Sequence, residues 1–150
     1  MRDHYAKPPM SNVVSAAFEA FSEPTRSQLL RIRCLIFEVA EETPGVGPLM
    51  EALKWGEPAY LTAATHSGST IRLGVLKSQA DTAAILFNCQ TSLVETFRTQ
   101  FPDAFAYHGN RAILLPPSAP LPEPALSICL AMALTYHHRT LLTINRPGKA

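Results

Sequence analysis

The run Trp55-Gly56-Glu57-Pro58-Ala59-Tyr60 most limits how this chain can fold. Glycine reaches backbone angles that other residues avoid, and proline fixes its own φ while removing a ladder donor. Gly56 and Pro58 therefore predict a bend that leads into an edge strand. Aromatic side chains bring the largest apolar areas, so Trp55 and Tyr60 are expected to clamp that bend onto a core. The run also marks a change of period. Before it, apolar residues recur at helical spacing; after it, they alternate.

On the helical side, Ser11 is placed to cap a short helix bearing Val13, Val14, Ala17, Phe18 and Phe21. Ser22-Glu23-Pro24 ends it and opens the next, because proline is accommodated in a first turn. Leu29, Ile32, Leu35, Ile36 and Val39 then make an apolar stripe opposite Ser27, Arg31, Glu38 and Glu42, which defines an amphipathic helix. Thr43-Pro44-Gly45-Val46-Gly47 breaks it, and Pro48 to Leu53 reads as further helical turns leading to Trp55.

On the alternating side, Pro58 to Ala63, Thr70 to Lys77 and Thr82 to Gln90 predict three strands joined by turns at Thr65-Ser69 and Ser78-Asp81. Ser92 with Glu95 three residues on is a capping-box pattern, so a helix through Leu93, Val94, Phe97 and Phe101 follows. Phe105 to Tyr107 and Arg111 to Leu115 read as a hairpin around His108-Gly109-Asn110. Pro116 to Pro124 holds five prolines and cannot be regular. Ala125 to Leu142 is the closing helix. The predicted fold is therefore α+β, a two-layer sandwich with an antiparallel five-stranded sheet and helices on one face, in the order α-α-β-β-β-α-β-β-α.

The 150 residues, 47% of them hydrophobic, suit one core. The expected division is a flexible tail over 1–10, one domain over 11–143 and a second tail over 144–150. A formal charge of +1 gives no reason to expect nucleic acid or an anionic membrane as partner. The apolar run Ala125 to Tyr136 is too short to span a bilayer, and no apolar leader opens the chain. Cys34, Cys89 and Cys129 lie far apart and odd in number, which reads as buried free thiols in a reducing cytoplasm.

Trp55-Gly56-Glu57-Pro58-Ala59-Tyr60, Phe87-Asn88-Cys89-Gln90-Thr91, Gly109-Asn110-Arg111-Ala112-Ile113 and Ala133-Leu134-Thr135-Tyr136-His137, taken in this order, resemble the YdhG-like family of small bacterial proteins. The resemblance covers about residues 16 to 139. It implies a domain of unknown function with a secretion-chaperone-like architecture, and for some members a frataxin-like role as iron carriers. Weakly held iron prefers several carboxylates displayed together. This chain groups only Glu38, Glu41 and Glu42 near one helix end.

Alternation places Leu61, Ala63, Ile71, Leu73, Val75, Ile85, Phe87, Cys89, Ala112 and Leu114 under the helices. The other face then carries Tyr60, Thr62, Arg72, Gly74, Asn88, Gln90 and Arg111, with Leu86, Ile113 and Leu115 among them. Tyr60, Arg72, Asn88, Gln90 and Arg111 are the candidate ligand-binding set, suited to a small anionic molecule. A polar-rimmed dimer interface and a solvated sheet face explain the same residues. Trp55, Gly56, Pro58 and Tyr60 form the structural motif. No catalytic residue, metal ligand or cofactor motif is evident, since the chain lacks HExxH, GxSxG and dinucleotide patterns. Two readings follow: a non-enzymatic binding or protein-interaction module that self-associates or takes another protein, and a small anion site, possible seat of a reaction, on the sheet.

Overall fold

The computed structural model describes residues 8–138. Helices α1 (Asn12–Glu19) and α2 (Thr25–Glu42) precede strands β1 (Met50–Lys54), β2 (Glu57–Leu61), β3 (Ile71–Leu76) and β4 (Gln79–Leu86). Helix α3 (Leu93–Gln100), strands β5 (Ala106–His108) and β6 (Ala112–Leu115) and helix α4 (Glu123–Leu134) complete the chain. One antiparallel sheet runs β1-β2-β3-β4-β6-β5. The α+β architecture expected from the sequence is the observed one, with six strands in place of five. The extra strand is β1, where helical turns were expected.

Ser11 caps α1 as its position suggested, its Oγ accepting the Val14 N–H at 3.3 Å. The α2 stripe is buried throughout, with Leu29, Ile32 and Ile36 fully inaccessible. These residues meet Ile71, Leu73 and Ile85 of the sheet, Phe87 just beyond β4, and Leu126, Leu130 and Ala133 of α4 in one core. The capping box at α3 does not form. Ser92 has φ −89° and ψ 12°, not the extended backbone that carries a cap side chain over the first turn, and it makes no such bond. The Thr91 hydroxyl accepts the Leu93 N–H at 3.4 Å instead.

Strand β3 follows the expected alternation as far as Gly74, and β4 follows it throughout; beyond Gly74 the register between the two shifts, and Val75, expected under the helices, is only half-buried and outside the core. Strands β2 and β6 are turned over. Tyr60 lies in the core, as do Ile113 and Leu115, whereas Ala112 and Leu114 join Ala84 and Leu86 in a small cluster on the opposite face. The reason is local: Ala112-Ile113-Leu114-Leu115 is apolar at every position and all four are buried. Such a run carries no period from which to read a face.

Ser67-Gly68-Ser69, expected as a plain hairpin turn, docks on the end of α4. The Ser67 hydroxyl donates to the Leu134 carbonyl at 2.8 Å, and the Ser69 N–H to the Ala133 carbonyl at 2.9 Å. The Ser67 carbonyl in turn accepts the N–H groups of His137 and His138. Within the expected N-terminal tail, Pro8 and Met10 are tied to the fold, Pro8 through its carbonyl and Met10 by packing on the core. Residues 1–7 of that tail, the 144–150 tail and the last residues of the expected closing helix lie outside the described residues.

Candidate functional site

The β1–β2 hairpin turns through Trp55 and Gly56 alone, with Lys54 opposite Glu57. Both turn residues have positive φ, 56° and 77°, the signature of a type I′ turn. Gly56 meets that demand freely, as expected. Trp55 meets it against the steric preference of an L-residue. Its side chain is 90% exposed, so it does not clamp the bend onto the core as expected. The turn points it off the end of the sheet. Met50 and Leu53, at 51% and 37%, are the other large apolar residues exposed on this hairpin.

Pro58 is buried and sits on a strand flanked on both sides, not on an edge. It is tolerated because β2 pairs with β3 only at Ala59 and Tyr60, one residue further on.

Beneath the hairpin, a polar group anchors the edge strand to α2. Arg33, 3% exposed, grips Glu51 of β1 through Nε at 2.5 Å and a second guanidinium nitrogen at 3.0 Å. Tyr60 donates its hydroxyl to the same carboxylate at 2.7 Å, and Arg33 also donates to the Pro8 carbonyl at 2.9 Å. The guanidinium stacks 5.0 Å from the Phe37 ring, which packs edge-on to Tyr60 at 5.6 Å. Burial, reinforced by the neighbouring Glu51 carboxylate, pushes the Tyr60 phenol far up, so it stays a donor. Burial alone would pull Arg33 down, but the Glu51 hydrogen bonds and charge outweigh it and raise it. The group is closed on itself and serves to fix β1 in place.

The five candidate ligand residues do not converge. Tyr60 is sequestered in this anchor on the helix side of the sheet. Arg72 lies on the other side, paired with Glu57 at 2.5 Å. Burial raises the Glu57 carboxyl, against the pull of Arg72. Asn88 and Gln90 belong to an exposed turn after β4, where the Asn88 carboxamide oxygen accepts the Gln90 N–H at 2.9 Å. Arg111 is exposed in the turn that leads into β6. Cys89, expected to be buried, is exposed because β4 ends at Leu86 and its alternation stops there.

Leu86, Ile113 and Leu115, expected on an exposed face, are all buried. Glu38 of the acidic group lies 3.7 Å from Arg31. Among the described residues no three His, Cys, Asp or Glu side chains are grouped to hold a metal ion, and no helix is long and apolar enough to cross a membrane. Sequence reasoning missed the buried Arg33 and the edge strand. The signal available for Arg33 was its place between Ile32 and Cys34 on the apolar side of α2.

The architecture is that of a two-layer α+β domain, with one antiparallel sheet backed by helices on a single face. Within that class the chain is similar to the crystal structure of YdhG, a protein from the DUF1801 family of Bacillus subtilis. The TM-score is 0.55 and the identity 15%, over 90% of this chain and 94% of that one. The resemblance read from the sequence motifs thus holds at the level of the fold. No family model matches the sequence, and no curated protein is significantly similar to it.

Proposed function

We propose that the chain is a non-enzymatic protein-interaction module whose contact surface is the tip and free edge of the β1–β2 hairpin. Trp55 carries this reading. Burying a Trp is its usual contribution to a fold, yet this one is 90% exposed and occupies a left-handed turn position that asparagine would fill at less cost. Tryptophan is among the residues most enriched where binding energy concentrates. The turn beneath it is tight, and the Arg33–Glu51–Tyr60 anchor holds β1 fixed, so little ordering is required on contact.

The test compares the wild-type chain with Trp55→Asn and Trp55→Ala. Trp55→Asn should raise stability by about 0.5–1 kcal/mol by relieving the turn, and Trp55→Ala should leave it within about 0.5 kcal/mol. Both should abolish retention of a partner protein that the wild-type chain holds on a column. Retention unaffected by either substitution would overturn the proposal.

A further inference from the structure

We infer that the partner taken by this surface is a second copy of the chain, joined through β1 about a two-fold axis at Ala52; the inference rests on the reading of the hairpin as an interaction surface and names its occupant. The two-residue turn makes Lys54 and Glu57 a hydrogen-bonded pair, and the register continues that set through Ala52 with Ala59 and Met50 with Leu61. Glu51 and Leu53 are therefore left with their backbone N–H and C=O groups directed away from β2. Among the described residues no strand pairs with that side of β1.

Two antiparallel copies keep their sheet faces continuous when Ala52 sits opposite itself. Glu51 then lies opposite Leu53 of the second copy, and Leu53 opposite its Glu51. Each of these two pairs exchanges both backbone bonds, because these residues carry the outward groups. Sliding the copies by two residues one way sets Glu51 against Glu51; sliding them the other way leaves only Leu53 against itself. The Ala52 register satisfies more of the edge than either.

Charge permits this register. The Glu51 carboxylate is turned inward and matched by Arg33. The two Lys54 side chains start roughly 13 Å apart along the strands, beyond the screening length of about 8 Å in physiological salt. Each faces Met50 of the other copy. Trp55 falls opposite Leu49 of the second copy and beside its Met50, so one contact covers Met50, Leu53 and Trp55, the three large apolar residues exposed on the hairpin. The contact is small, near the lower end for specific association, so its strength is read as a function of concentration.

Sedimentation equilibrium of the full chain from micromolar to millimolar concentration should show a monomer–dimer exchange, with the emission of Trp55 moving to the blue as the dimer fills. In a Cys89→Ser background, Ala52→Cys should form a disulfide-linked dimer on mild oxidation, since facing Cα atoms at such a position are about 4.5 Å apart. Met50→Cys in the same background should not link. Leu53→Pro removes an outward N–H and spares the ladder to β2. It should weaken the dimer at least tenfold with an unchanged circular dichroism spectrum. A chain that stays monomeric throughout, or that cross-links at Met50 as fast as at Ala52, would overturn the inference. A monomer that still retains another protein through Trp55 would overturn self-pairing alone and leave the interaction-module reading standing.

Discussion

Arg33 and Glu51 face each other side-on, two guanidinium nitrogens against two carboxylate oxygens, with the arginine 3% exposed and the pair joining α2 to β1. Removing one member of such a buried pair leaves an uncompensated charge. Arg33→Ala should cost about 3–5 kcal/mol. Replacing all three polar residues with apolar ones, as Arg33→Met with Glu51→Leu and Tyr60→Phe, should recover most of that loss or exceed the wild type by about 1–4 kcal/mol. Urea denaturation of both variants separates the outcomes; equal losses would mean that the pair contributes through packing alone.

Stability should fall in alkali. The Tyr107 phenol holds its one proton between two acceptors, the Phe101 carbonyl at 2.7 Å and the Phe97 carbonyl at 3.0 Å, and burial, with a lesser contribution from Cys129, pushes it up to about 12. Burial likewise pushes the Cys129 thiol up to about 12, and Tyr60 higher still. A folded chain that keeps these protons while the unfolded chain releases them is fully stabilised by them below their ordinary values, about 8.5 for the thiol and 10 for the phenols. That contribution is lost as pH rises toward the folded values. The urea midpoint should therefore be flat to about pH 8 and decline above it. Tyr107→Phe should make the decline shallower, and a midpoint that rises with pH would contradict the assignment.

The fold was legible wherever pattern and packing agree. Leu29, Ile32, Leu35, Ile36 and Val39 announce α2 by spacing alone, and all are buried where the spacing puts them. The strand β1 was not legible, because Met50-Glu51-Ala52-Leu53-Lys54 is built from strong helix formers and becomes a strand only through pairing with β2. The faces of β6 were hidden by an unbroken apolar run. Trp55 was misplaced for a different reason: its apolar area predicts burial, while the turn between Lys54 and Glu57 decides its direction. Composition says what a side chain prefers, and only the backbone says where it points.

Thiol chemistry should distinguish the three cysteines. Cys34 and Cys129 are buried, and burial raises Cys129 further from its reactive form, while Cys89 is exposed in the turn after β4. The native protein should react with an aromatic disulfide reagent at a single thiol, lost in Cys89→Ser, and the denatured protein at all three. Prompt reaction of a second thiol in the native state would show that α4 or α2 opens on the time scale of labelling.

Gly68 and Leu134 are in closer backbone contact than any side chain would allow. A Cβ on Gly68 would run into the Leu134 backbone carbonyl group and Cα, atoms that cannot swing aside. The approach exists because the loop satisfies the end of α4, Ser69 and Ser67 donating to the Ala133 and Leu134 carbonyls. Gly68→Ala must push loop and helix apart, which should cost about 1–3 kcal/mol from overpacking, with lost hydrogen bonds in addition. Ser67→Ala removes one buried donor without adding volume and should cost only about 0.5–1.5 kcal/mol. Thermal denaturation ranks the two. The β1 edge lies on another part of the sheet, so the dimer formed through Ala52 should persist in both variants at temperatures where they remain folded; its selective loss would show that the α4 end and the β1 edge are coupled through the core.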